Sequence, residues 1–182
     1  MDAKSTITKF IKPSTVTLIV LAIVPPFFII FSLIYLLATY LPNNNRAKKC
    51  LAKLEAESEL EKAAAELISA NAKRLVKGKV VLTDHYVFLK GTGLVLKYDE
   101  VLWVYKHRLT QRVLLIPIKV TDSLYMATSA VKKGKVLSVA SMGKDKKEEI
   151  KDAIVEIYRH NQNCLIGYTN ENVAKHKEMI KK

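Results

Sequence analysis

The chain has 182 residues, 49% of them hydrophobic, a formal charge of +13 and two cysteines. The apolar content excludes a wholly disordered chain, the cysteine count excludes a disulfide-framed miniature domain, and the length leaves room for one core rather than two. The charge is uneven: residues 1–75 carry a net +4 and residues 76–182 a net +9, so the C-terminal body is the part suited to an anionic partner.

Residues 1–15 read as a polar leader carrying Lys4, Lys9 and Lys12. Residues 16–41, VTLIVLAIVPPFFIIFSLIYLLATYL, contain no charge. As a helix such a run exceeds the ~30 Å hydrocarbon core of a bilayer. It is also longer than the ~7–15-residue core of a cleavable signal. It therefore predicts an uncleaved, single-pass transmembrane anchor in the cell membrane. Pro25-Pro26 gives that helix a kink or, alternatively, the tip of a re-entrant hairpin. Arg46, Lys48, Lys49 and Lys53 nearly balance the leader lysines under the positive-inside rule. The unpaired cysteine spacing and the lack of Asn-x-Ser/Thr then place the body on the cytoplasmic side. Cys50, near the end of the run, reads as a small packed thiol before it reads as a palmitoylation site.

Pro42-Asn43-Asn44-Asn45 predicts a stop and a new cap. Residues 46–75 then predict a long amphipathic linker helix, with Leu51, Leu54, Leu60, Ala64, Leu67, Ile68, Ala72 and Leu75 at mostly three- and four-residue steps and a break around Ser58. From Val76 the period becomes two. Seven strands are expected: Val76–Leu82, Tyr86–Lys90, Leu94–Tyr98, Val101–Arg108, Arg112–Val120, Ser123–Thr128 and Lys135–Ala140. Turn chemistry separates them at Thr83-Asp84, Gly91-Thr92-Gly93, Asp99-Glu100, Thr110-Gln111, Thr121-Asp122 and Lys132-Lys133-Gly134. Short connections predict an antiparallel meander, and Pro117 predicts an edge or a bulge. A helix follows to about Asn161 with an apolar face of Ile150, Ala153, Ile154, Ile157 and Tyr158. Residues 162–182 form a basic tail, with Thr169 capping a last short helix.

This order resembles the pleckstrin-homology (PH) superfold, and within it bacterial PH-like domains. The stretches that carry the resemblance are Val80-Val81-Leu82-Thr83-Asp84-His85-Tyr86-Val87-Phe88, Gly91-Thr92-Gly93, and Leu96-Lys97-Tyr98-Asp99-Glu100-Val101-Leu102-Trp103-Val104. The resemblance implies an α+β architecture in which residues 76–161 form a seven-stranded, partly open antiparallel barrel capped by a C-terminal helix. It also implies binding to phosphoinositides, peptides or proteins, which narrows function only slightly.

A catalytic set is not legible. His85, His107, His160 and His176 stand far apart in sequence. There is no HExxH, no paired Cys/His spacing and no glycine-rich phosphate loop. Asp99-Glu100 and Thr83-Asp84 read as turn formers. The expectation is no enzyme, no catalytic residue, no metal and no cofactor. Two basic clusters stand as an anion- or partner-binding site, namely Lys106, Arg108 and Arg112 with His107, and Lys132, Lys133 and Lys135. Trp103, Tyr105, Tyr125 and Met126 read as packing. Nucleic acid is set aside because an anchored body seldom meets it. The functional expectation is a membrane-anchored module that recruits a protein partner or an anionic lipid headgroup. The alternatives are a homo-oligomer built through the 46–75 helix, or an accessory subunit of a membrane enzyme.

Overall fold

The computed structural model describes residues 2–13, 15–16, 33–113, 116–131, 134–143 and 147–181. The chain divides into two units, one of residues 1–70 and 88–95, the other of residues 71–87 and 96–182.

In the first unit, helix α1 spans Ala3–Ile11. It starts there because the Asp2 carboxylate accepts from the N–H groups of Lys4 and Ser5, both at 3.2 Å, satisfying donors a helix start leaves open. Ile7 and Ile11, four residues apart, share its buried face. They pack toward α2 (Leu41–Ala56) and α3 (Leu60–Ile68), and Lys4 Nζ meets Glu55 Oε1 at 2.6 Å. The N-terminal residues are thus a docked helix as well as a basic leader.

Pro42-Asn43-Asn44-Asn45 does not interrupt the chain as expected. A π-helical turn, Leu36–Tyr40, runs into α2 without a break, and Pro42, which has no main-chain N–H to donate to the preceding turn, stands just past it. The 46–75 helix is in fact broken. Ser58 takes a left-handed φ of 55°; its N–H reaches Glu55 O at 3.1 Å and the Glu59 N–H reaches Leu54 O at 2.9 Å. That paired closure ends α2. Beyond α3 the chain turns into a strand rather than continuing as helix.

The expected anchor at residues 16–41 falls largely on residues 17–32, which lie outside the described residues. Among the described residues no helix is long and apolar enough to cross a membrane. This overturns the expectations of a transmembrane helix, a single-pass topology and a cell-membrane location. Of the charge-free run, residues 16 and 33–41 are described. Its described C-terminal end continues into α2, whose Asn43, Asn44, Asn45, Arg46, Lys48 and Lys49 are polar.

The strands are β1 (Lys73–Leu75), β2 (Val80–Leu82), β3 (Tyr86–Leu89), β4 (Leu94–Lys97), β5 (Val101–Val113), β6 (Ile116–Thr128), β7 (Leu137–Gly143) and β8 (Leu165–Ile166). They form two four-stranded sheets, ordered β1-β2-β3-β4 and β7-β6-β5-β8. β3 and β4 each contribute residues to both units. Two open sheets replace the expected seven-stranded barrel, and the reason is specific. Thr110-Gln111 and Thr121-Asp122, expected as turns, lie inside the β5–β6 ladder, where Thr110 pairs with Val120, Gln111 with Lys119, Leu109 with Thr121 and Arg108 with Asp122. Three expected strands merge into two of 13 residues. A register shift falls between Gln111 and Arg112, opposite Lys119 and Pro117.

Helix α4 (Lys147–His160) buries Ile150, Ala153 and Ile157 against β1, β2, β5 and β6. β8 then pairs parallel with β5 at Trp103 and Val104. Helix α5 (Asn170–Met179) begins where Thr169 Oγ1 accepts from Asn172 N at 3.1 Å.

Candidate binding surfaces

Lys106, Arg108 and Arg112 all lie on β5. Their two-residue spacing sets Lys106 and Arg108 on the same sheet face as buried Val104, because side chains alternate along a strand. Arg108 is committed: its Nε and Nη2 donate to Asp122 Oδ1 and Oδ2 at 2.7 and 2.9 Å. Lys135 is exposed and stands two residues before β7, past the Met126–Leu137 pair. At ~3.3 Å per residue that is about 35 Å along the strand direction from Arg112, whose partner is Pro117. Lys135 and Arg112 are therefore not neighbours. Lys132 and Lys133 lie outside the described residues.

The opposite face of β5 is aromatic. Tyr105 and Tyr125 are cross-strand partners whose rings stack at 5.4 Å and 8°. Trp103 Nε1 donates to Gly167 O at 2.8 Å, and Tyr168 lies over its indole at 5.7 Å. Val173 of α5 packs on this cluster. Burial first, and then the neighbouring Tyr168 and Tyr125, raises the Tyr105 phenol above its ordinary value. From α5, buried His176 meets the indole at 5.1 Å, and its Nε2 has no hydrogen-bond partner among the described residues.

Among the described residues, one edge of β5 is open past Val104. The ladder to β6 runs along its whole length, whereas β8 covers the other edge only at Trp103 and Val104. Val104 O accepts from Gly167 N at 3.1 Å, so even-numbered residues turn their main-chain groups to that edge up to the register shift. Lys106, Arg108 and Thr110 follow there.

A cleft of about 530 Å³ lies at the other end of the strand. Its floor is Val101 and Leu102 of β5. One wall is Asp99, in the 3-10 turn Tyr98–Glu100, and the second is Asn161 and Asn163 after α4. Lys175, Glu178 and Met179 of α5 close it. The turn is rigidly held: Asn161 Nδ2 donates to Tyr98 O at 2.8 Å and Val101 O at 3.0 Å, and the Tyr98 hydroxyl donates to Thr83 O at 2.6 Å. Glu100 is used up in the turn, its Oε2 accepting from Lys97 N at 2.9 Å. Asp99 is not so used. It reads as a turn former in sequence, yet it is a wall of the cleft. Glu178 lies in the tail, and only the spacing of Lys175, Glu178 and Met179 along α5 marks a shared face.

Among the described residues, no group of three His, Cys, Asp or Glu could hold a metal ion. No protein-family model, curated protein or solved structure matches this chain.

Proposed function

We propose that this chain is a binding module that recruits a protein partner by adding an acidic extended segment to the open edge of β5. The carrying observation is that edge. Past Val104 the strand has a neighbour on one side only among the described residues. A partner strand gains main-chain hydrogen bonds there and selects by alternate side chains. Lys106 and Arg108 line the edge and Arg112 follows beyond the register shift, and the body's net charge of +9 favours an acidic occupant.

The test is titration of the full chain with a fluorescein-labelled octapeptide of alternating valine and glutamate. Binding is expected, and Lys106→Glu with Arg112→Glu should weaken it at least about tenfold, roughly the worth of one lost charge-assisted contact. Thr110→Pro removes one edge N–H without touching the ladder to β6 and should weaken binding similarly, with circular dichroism verifying the fold. Equal binding by a valine–lysine peptide would refute the proposal. So would a dimer of the full chain that Thr110→Pro dissolves, since the edge would then serve a second copy.

A further inference from the structure

We infer that the cleft between the Tyr98–Glu100 turn and α5 is a site for an organic cation, a primary ammonium or guanidinium carried on a short apolar chain. The inference is independent of the β5 edge. The cleft's volume of about 530 Å³ falls within the ~300–1,000 Å³ of small-molecule sites. Its base is apolar, with Val101 buried and Leu102 half-buried. That surface suits a few methylenes.

The polar rim has a definite sign. Asp99 and Glu178 face the cleft from two different elements, and neither carboxylate makes an ion pair among the described residues. Among the described residues of the rim the cationic group is Lys175, which is engaged elsewhere, its Nζ bonding Glu171 Oε1 at 2.6 Å. That bond holds the Glu171 carboxyl below its ordinary range. Asn161 is occupied by main-chain carbonyls, which leaves the Asn163 side chain as the neutral hydrogen-bonding group. The two carboxylates, exposed and without an ion pair among the described residues, stand over an apolar floor and give the cleft its acidic character. An ammonium or a guanidinium is the donor that a carboxylate on this rim accepts from most strongly. The same chemistry is offered by a free alkylamine and by a Lys or Arg side chain of a partner.

Saturation-transfer NMR on the full chain would use n-butylammonium, n-butylguanidinium, the neutral n-pentanol and the peptide acetyl-Gly-Lys-Gly-amide. Both cations should bind and pentanol should bind at least about tenfold more weakly. Asp99→Asn combined with Glu178→Gln should abolish the preference for the cations over pentanol. Lys175→Gln removes a positive charge from the rim and should tighten cation binding severalfold. Stronger binding of the peptide than of butylammonium points to a partner's side chain as the source, and the reverse order to a free amine. Equal binding of pentanol, an unaltered preference in the Asp99→Asn, Glu178→Gln protein, or weaker cation binding in Lys175→Gln would each overturn the assignment. Far-ultraviolet circular dichroism on each variant separates a lost site from a lost fold.

Discussion

Arg108 and Asp122 face one another across the β5–β6 ladder, joined by two parallel hydrogen bonds of 2.7 and 2.9 Å. The Asp122 side chain is 0% exposed and the arginine 43% exposed. The bonded carboxylate raises the Arg108 guanidinium above its ordinary value. A buried carboxylate that loses its partner keeps its desolvation cost. Arg108→Ala should therefore lower the urea midpoint distinctly. Arg108→Lys should recover only part of the loss, since an ammonium cannot make the planar two-bond contact. Replacing Arg108 and Asp122 together by leucine should come closer to wild type than Arg108→Ala alone. Identical midpoints for Arg108→Ala and wild type would show that Asp122 does not depend on this arginine.

A second prediction concerns two glycines of one turn. Gly91 and Gly93 both have positive φ, 75° and 78°. A Cβ on Gly91 would meet nothing within 4 Å, whereas one on Gly93 would overlap Asn43 O and stand 2.8 Å from Ala47 N. These are backbone atoms of α2, and a helix backbone cannot move aside as a side chain can. Gly91→Ala should cost about 1–2 kcal/mol for its conformation alone. Gly93→Ala should add overpacking, for about 3–5 kcal/mol in total. Denaturant melts of the two variants decide it, and similar losses would sink the steric argument.

How much of this was legible in the sequence depends on the range of the forces involved. Short-range patterns were readable: the β-branched and aromatic stretches that became β2, β3 and β4, the three- and four-residue spacing of Ile150, Ala153 and Ile157, and the Thr169 cap. The lengths of β5 and β6 were not. Thr110-Gln111 and Thr121-Asp122 have turn composition, and only a cross-strand partner such as Arg108 shows why a polar aspartate can sit within a strand. The cleft was illegible for the same reason. Asp99 and Glu178 come from opposite ends of the body, and Asp99 carries the composition of an ordinary turn. The basic residues were visible as a pattern, but their pattern could not reveal that Arg108 is already engaged.

Cys164 supplies a third prediction. Burial, partly offset by a hydrogen bond with the Val104 backbone, pushes its thiol up to about 12. The thiolate is the reactive form, so at pH 8 alkylation should be roughly a thousandfold slower than for an unperturbed thiol. In a Cys50→Ser background, iodoacetamide followed by mass spectrometry should label Cys164 only after unfolding. The unfolded thiol ionises near pH 8.5 while the folded one stays neutral, so this group also makes stability fall as pH rises past that value. Rapid native labelling would mean that the segment around β8 opens readily.

The last prediction follows Glu156 on α4, whose side chain is 14% exposed and lies 2.8 Å from Lys73 Nζ of β1. The hydrogen bond from Lys73 is the main cause that holds its carboxyl below the ordinary range, with smaller contributions from the charges of Lys73, Arg159 and His160 opposing burial. A depressed carboxyl pKa favours the folded state while the group is ionised. Its contribution is therefore complete above the unfolded value of ~4.3 and disappears as pH falls through the lower folded value. Lys73 is 55% exposed, so solvent screening limits the pair to about 1 kcal/mol or less. The stability difference between wild type and Glu156→Gln should be constant from pH 8 to about pH 5, shrink below about pH 4, and diminish in high salt. A difference that grew on acidification would reverse the sign of the argument and place the neutral carboxyl, not the ion, in the folded pair.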